Sequence, residues 1–176
     1  PLKPDMIMPT KVSGGEMIRE VSAYMGQVEE RRGIEKGSVK ILPLIETALG
    51  VEKAYEIASS DVRVAGLFLG GEDFTADMHC KRTKEGQEIF YARTRLVCAA
   101  RACGIEAYDT PFTDVEDMEG LRKDTEFAKS LGFAGKAVIS PRHVDIVNEV
   151  FSPTEAEIEY AHDVMDAIED GKRQGK

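Results

Sequence analysis

Two carboxylates stand where apolar runs give way to polar chain. Glu46 closes Ile41-Leu-Pro-Leu-Ile-Glu46-Thr47, and the next apolar run, Val64–Gly71, leads into Glu72 and Asp73. An ionised carboxylate at the end of a buried strand is costly unless a cation or a set of donors meets it. Glu46 and one of the two later acids are therefore expected to share a divalent metal. Oxygen donors suit a hard ion such as Mg²⁺, which keeps positions open for substrate oxygens. Side chains alternate along a strand, so Glu72 is expected to face away from Asp73, leaving Glu46 and Asp73 as the pair. The alternative is that these acids cap the following helices or pair with Lys11 or with arginines.

Three other groupings could do chemistry. Lys11 follows the short apolar stretch Asp5–Pro9 and is expected at the same end of its strand as Glu46. The basic run Lys81-Arg82-Thr83-Lys84 follows the Asp73 segment in an otherwise acidic chain. Such a run either grips a phosphate or carboxylate or is a solvated loop. His79 and Cys80 are adjacent but lack the further thiols of a structural zinc site, so a solvated loop is expected there. His143 and His162 are expected at the surface, as are Arg93, Arg95 and Arg101 in ion pairs. No GxSxG elbow, Ser-His-Asp order, P-loop or GxGxxG is present.

The elements that must position these groups alternate. Strands are expected at Asp5–Pro9, Lys40–Glu46, Val64–Gly71, Ile105–Tyr108 and Lys136–Ile139. Apolar residues at spacings of three and four predict helices over 16–32, 50–60, 88–103, 118–131 and 141–150. Ser152-Pro153-Thr154-Glu155 reads as a capping box opening a last helix to about Asp170, ahead of a basic, polar tail. Phe74–Gly86 reads as a long polar loop. Strand ends fall at Lys11, Glu46, Asp73, Asp109 and Ser140, which is the rhythm of βα units. That alternation implies a parallel sheet covered by helices, with all strand C-termini on one face where ligands bind. An open doubly wound sheet and part of a (β/α)8 barrel both satisfy it. A complete barrel usually needs about 250 residues.

The bulk numbers narrow the partners. The 176 residues, 42% hydrophobic and 31% charged, suit one domain with a sizeable core. A formal net charge of −9 argues against nucleic acid or an anionic membrane as main partner. No apolar run approaches the roughly 18 residues of a membrane span, and no signal-peptide pattern opens the chain. Cys80, Cys98 and Cys103 form no CxxC pair. They are expected as free, buried thiols in a reducing, cytoplasmic setting.

Taken together, Ile-Leu-Pro-Leu-Ile-Glu-Thr-Ala and Gly-Gly-Glu-Asp-Phe-Thr-Ala-Asp resemble the citrate lyase β subunits of the HpcH/HpaI aldolase superfamily. So do Lys81-Arg-Thr-Lys-Glu-Gly-Gln-Glu, Phe90-Tyr-Ala-Arg, Ala99-Ala-Arg-Ala-Cys-Gly-Ile, Leu131-Gly-Phe-Ala-Gly-Lys and Ile139-Ser-Pro-Arg. The Lys-Arg-Thr-Lys-x-Gly-x-Glu segment resembles true citrate lyase β subunits more than their malyl-CoA or citramalyl-CoA relatives. The resemblance implies a (β/α)8 barrel, with this chain as strands four to eight. The first three strands and the C-terminal lid would then lie outside it, as in a fragment that begins at Pro1.

The resemblance further implies that Glu46 and Asp73 ligate Mg²⁺ and that Lys11 matches a family lysine at the substrate site. Ser140 stands where relatives often carry His or Asn. The implied activity is Mg²⁺-dependent cleavage of a citryl thioester, citryl-CoA or citryl-acyl carrier protein, to oxaloacetate and an acetyl thioester. Lys81, Arg82 and Lys84 would face the carrier's phosphates, and no acid–base residue is assigned. Implied partners are other citrate lyase subunits and further copies in a trimer or hexamer. Malyl-CoA or citramalyl-CoA cleavage is the alternative within the class. A non-catalytic assembly component, completing its barrel with a partner or its own copy, is the alternative outside it.

Overall fold

A computed structural model describes residues 3–173. Every strand pairing in it is parallel. Strand β1 (Met6–Ile7) pairs with β2 (Lys40–Ile41), and β3 (Leu44–Ile45), β4 (Gly66–Leu69), β5 (Glu106–Asp109) and β6 (Gly135–Lys136) follow side by side in sequence order. A bridge between Ile41 and Val64 joins the two sheets into one surface. Helices α1 (Gly15–Arg32), α2 (Ala48–Glu52), α3 (Ala54–Ala58), α4 (Gly71–Asp77), α5 (Phe90–Ala102), α6 (Met118–Leu131), α7 (Val144–Phe151) and α8 (Glu155–Arg173) complete it. Ile41, Ile45, Leu67 and Leu69 of the strands pack against Ile18, Ile57, Leu96 and Ala100 of the helices in one core. Fully burying such a side chain stabilises by about 1.5–3 kcal/mol.

The fold follows the βα alternation, with local departures that have physical causes. The expected strand Lys40–Glu46 is two short strands. The Pro43 carbonyl accepts from Phe68 N–H of β4, but proline has no N–H to return, and the ladder lapses there. The expected helix over 50–60 breaks at Lys53, whose backbone leaves the helical region. The last strand shrinks to Gly135–Lys136, and Ile139 beyond it is 56% exposed. The expected loop Phe74–Gly86 is a helix as far as Asp77. The capping box is Thr154–Glu157 rather than Ser152–Glu155. Glu157 accepts from the Thr154 N–H and hydroxyl, Thr154 Oγ1 accepts from Glu157 N–H, and the Ser152 hydroxyl turns back to Asn148 O.

Some expectations about burial are overturned. Cys80 and Cys98 are exposed and Cys103 is half-buried. Arg93 and His143 are fully buried and Arg95 is half-buried, although His162 and Arg101 lie at the surface as expected. All three cysteines are free thiols. None of the described helices is long and apolar enough to cross a membrane.

A buried ion pair locks α1 to the sheet. Glu29 accepts from both terminal nitrogens of Arg63, at 2.8 and 2.6 Å, and from Gly37 and Val39 N–H at 2.9 and 3.2 Å. The Arg63 guanidinium and these N–H groups hold the Glu29 carboxyl down at about 2, against burial, which opposes them. A carboxyl depressed in the folded state stabilises above its ordinary value near 4.5 and loses that stabilisation as the proton binds. Unfolding free energy measured in urea should therefore fall as pH drops from about 4.5 towards 2. Glu29→Gln should flatten that slope; an unchanged slope would remove Glu29 from it.

Candidate functional site

Glu46 lies one residue past β3 and one before Thr47, whose hydroxyl caps α2 by accepting from Gly50 N–H at 3.1 Å. It is 5% exposed. Its Oε1 accepts from the backbone N–H of Lys11 at 2.8 Å. Lys11 adopts a left-handed backbone, φ 51°, one of two described non-glycine residues to do so. That conformation costs about 1–2 kcal/mol for an L-residue, and here it turns the N–H towards Glu46.

Asp73 arrives from the neighbouring βα unit, in the first turn of α4 rather than at a strand end. Its carboxylate stands against that of Glu46. Burial pushes the Glu46 carboxyl above the ordinary range, and the Asp73 charge pushes it further, against the Lys11 N–H. The Lys11 ammonium is 3.8 Å from Asp73 Oδ2, and both side chains are more than half exposed. The approach of α4 is close. A Cβ on Gly70 would lie 2.6 Å from Glu46 Cβ and 2.9 Å from its Oε2, so the residue there is glycine. The far end of α4 is fastened by Asp77, which accepts from Ala48 N–H of α2 at 2.7 Å.

The structure thus brings Lys11, Glu46 and Asp73 together on the face where the parallel strands end. Glu72 is in the same helical turn as Asp73 and reaches Arg82 at 3.5 Å instead. The basic run is less available than its sequence suggests. Arg82 is largely buried and bonded to Glu88 at 2.7 Å, and Lys84 bridges Asp114 and Asp117 at 2.6 and 3.0 Å. Burial opposes ionisation of Glu88, but the Thr83 N–H and hydroxyl and Arg82 outweigh it and bring its carboxyl to about 2. Lys81 is exposed. His79 and Cys80 sit in an exposed turn, and Ser140 caps the 3-10 turn Pro141–His143 by accepting from Arg142 N–H.

Asp109 does not join Glu46 and Asp73. It is fully buried and takes a two-point bond from Arg93, Nε to Oδ1 at 3.0 Å and Nη2 to Oδ2 at 2.8 Å. Arg93 Nη2 also reaches Asp124 at 2.8 Å. Lys136 Nζ bonds Asp109 at 2.6 Å, the Thr110 carbonyl at 2.7 Å and Asp124 at 2.6 Å. Two cations and two anions from α5, β5, α6 and β6 so form a neutral buried tetrad. Burial would raise the Asp124 carboxyl, but Lys136 and Arg93 hold it below the ordinary range. The sequence carries a signal for this tetrad that spacing alone does not interpret. Asp124 falls on the Leu121–Thr125–Ala128 stripe of α6, and Arg93 on the Ala92–Leu96–Ala100 stripe of α5.

Glu46 and Asp73 suit a hard divalent ion. A nearly buried carboxylate with one oxygen occupied by an N–H, pressed against a second carboxylate, is relieved by a cation between them. Among the described residues no group of three or more His, Cys, Asp or Glu side chains converges as a metal site. The remaining positions would therefore belong to water or substrate, which suits Mg²⁺.

Parallel strands, covering helices and a carboxylate pair on the strand-end face define an α/β protein of the aldolase kind. The model of the HpcH/HpaI aldolase/citrate lyase family matches residues 2–141, and the chain belongs to that family. It is 42% identical over 171 residues to the citrate lyase subunit beta of Leuconostoc mesenteroides subsp. cremoris, covering 97% of this chain and 57% of that protein. It is 33% identical over 181 residues to the mitochondrial citramalyl-CoA lyase of Rattus norvegicus, covering 98% of this chain and 53% of that protein. It superposes on the citrate lyase beta subunit of M. tuberculosis, a structure complexed with oxaloacetate and magnesium, with a TM-score of 0.70 and 25% identity. That match covers 85% of this chain and 62% of the other. The chain spans a little over half the length of the curated relatives it matches.

Proposed function

We propose that the chain carries the metal-binding portion of a Mg²⁺-dependent carbon–carbon lyase that cleaves a citryl thioester to oxaloacetate and an acetyl thioester. The observation that carries this reading is the carboxylate pair: Glu46, fixed by the Lys11 N–H, against Asp73 at the open strand-end face. The magnesium and oxaloacetate bound by the M. tuberculosis relative support it, as does the 42% identity to a citrate lyase β subunit.

In this reading Glu46 and Asp73 hold the ion, and the Lys11 N–H keeps Glu46 turned towards it. When bound, Mg²⁺ supplies Lewis-acid polarisation of the substrate's carboxylate and hydroxyl oxygens. The bond that breaks joins the hydroxyl-bearing carbon to the carbon next to the thioester. The hydroxyl gives up its proton as that carbon becomes the ketone, and the departing carbon takes one up. Neither proton transfer is assigned to a described residue. The exposed Lys11 ammonium, beside Asp73, is in place to pair with the keto-acid carboxylate. Lys81 is placed to meet phosphates of a CoA or acyl carrier protein. Arg82 and Lys84 would have to exchange their present carboxylate partners to do the same.

The reading extends to architecture and assembly. We place the chain as strands four to eight of an eight-stranded barrel, in a cytoplasmic oligomer with further citrate lyase subunits. The edge strand β1 supports this. An apolar groove of about 490 Å³ lies beside it, lined by Ile7, Val21, Tyr24, Met25, Val28 and Val39. Exposed strand edges with apolar surroundings call for a neighbour.

Substrate choice is tested with citryl-CoA, citramalyl-CoA and malyl-CoA supplied to the protein in its complete form. Citryl-CoA should be turned over with the highest kcat/KM, by about tenfold or more, because removing a polar substrate group leaves its buried partners unpaired. Preference for citramalyl-CoA would transfer the assignment to that activity, which the 33% identity to the rat enzyme supports.

A further inference from the structure

We infer that Thr110 is a positioning residue for the carboxylate pair, holding Asp73 in place against Glu46 through the backbone of α4. The inference rests on the metal reading of that pair.

Thr110 is 1% exposed and follows β5. Its hydroxyl oxygen accepts from the Gly71 N–H at 3.0 Å, a buried bond between residues 39 apart. Gly71 is the first residue of α4, and Asp73 lies two residues on. The contact is tight. A Cβ on Gly71 would meet Thr110 Oγ1 at 2.8 Å and Cγ2 at 3.0 Å, just as one on Gly70 would meet Glu46. The Gly70–Gly71 backbone is therefore pressed between Glu46 on one side and Thr110 on the other. No side chain fits in either gap, and the start of α4 is set by both neighbours together.

Thr110 is itself anchored. Its carbonyl accepts from Lys136 Nζ at 2.7 Å, and that ammonium is gripped by Asp109 and Asp124, which Arg93 ties together. The tetrad takes no place at the candidate metal site. Thr110 links it to that site: carbonyl to Lys136, hydroxyl to Gly71. Buried charges of opposite sign held within 2.6–2.8 Å make a stiff support, and groups that orient metal ligands from behind affect affinity by about tenfold to a hundredfold.

The test is Mn²⁺, standing in for Mg²⁺, titrated into the chain and followed by electron paramagnetic resonance of the free ion. Thr110→Val keeps the shape and removes the acceptor. Thr110→Ala removes it without adding a methyl against Gly71, and Thr110→Ser restores it. Val and Ala should weaken Mn²⁺ binding by about tenfold to a hundredfold and speed hydrogen exchange at the Gly71 amide. Ser should stay within about threefold of the unsubstituted chain, well inside that range. A purely structural role would lower the unfolding midpoint of Val and Ala while leaving Mn²⁺ affinity untouched, and that result overturns the inference. Glu46→Gln is the control. If the unsubstituted chain binds no Mn²⁺, or Glu46→Gln binds it equally, the metal reading fails and takes the role of Thr110 with it. If binding depends on Glu46 but not on the Thr110 hydroxyl, only the Thr110 assignment fails.

Discussion

Asp109→Ala should destabilise the fold by about 3–5 kcal/mol, the usual result of removing one partner from a buried charge group. Asp109 is the hub of the tetrad. It takes two bonds from Arg93 and one from Lys136, all between fully buried side chains. Without it, two buried cations share the single carboxylate of Asp124, and the charge left in excess is desolvated and uncompensated. Domains of this size are stable by about 5–15 kcal/mol, so the variant loses a large part of the total. Urea unfolding followed by circular dichroism gives the difference, with the midpoint moving and the slope unchanged. Replacing Arg93 by Met in the Asp109→Ala background should recover part of the loss, since it removes the cation left in excess. A single variant within about 0.5 kcal/mol of the parent, the range of ordinary surface changes, would show that the tetrad contributes little.

Why the sequence half-concealed this tetrad is instructive. The alternation of apolar runs with helical periodicity is set by burial, a strong local signal, and it placed every strand near its observed position. Arginine belongs by type at the surface, yet Arg93 lies on the stripe that carries Ala92, Leu96 and Ala100 into the core. Only the arrival of Asp109 and Asp124 from elements 16 and 31 residues away makes that burial tolerable. Such pairing is a long-range fact that spacing does not encode. His143 is a related case, buried with both ring nitrogens unpartnered among the described residues.

The carboxylate pair was legible for a different reason. Glu46 ends an apolar run, and a charge in that place demands an explanation. The same rule points to Asp73, although its setting is a helix. The seven residues of α4 carry only Phe74 and Thr75 as buried side chains, open with Gly71 and follow Gly70, too weak a pattern to show a helix. The arrangement depends on what the two glycines lack, and close approach of backbone to side chain leaves no periodic trace.

Glu46→Gln and Asp73→Asn should each weaken Mn²⁺ or Mg²⁺ binding by about a hundredfold or more, the upper end of what even supporting groups contribute. In the complete protein they should abolish metal-dependent cleavage. The effect on the metal-free fold should have the opposite sign. Glu46 is buried beside a second carboxylate, and its carboxyl is raised by burial and by Asp73. An acid raised in the folded state destabilises that state as pH climbs past its ordinary value, because the charge forms more readily in the unfolded chain. Glutamine keeps an oxygen for the Lys11 N–H and carries no charge. Glu46→Gln should therefore unfold at a higher temperature than the parent at pH 7 without metal, and the advantage should shrink as pH falls towards the ordinary carboxyl range. Saturating Mg²⁺ should stabilise the parent and leave the variant unmoved, since only a folded state that binds a ligand gains from it. A residue present for packing alone would give the reverse pattern: lower metal-free stability and unchanged affinity. Scanning calorimetry with and without Mg²⁺ at pH 5 and 7 separates the two. A Glu46→Gln chain that melts lower and still gains from Mg²⁺ would end the case for Glu46 as a ligand.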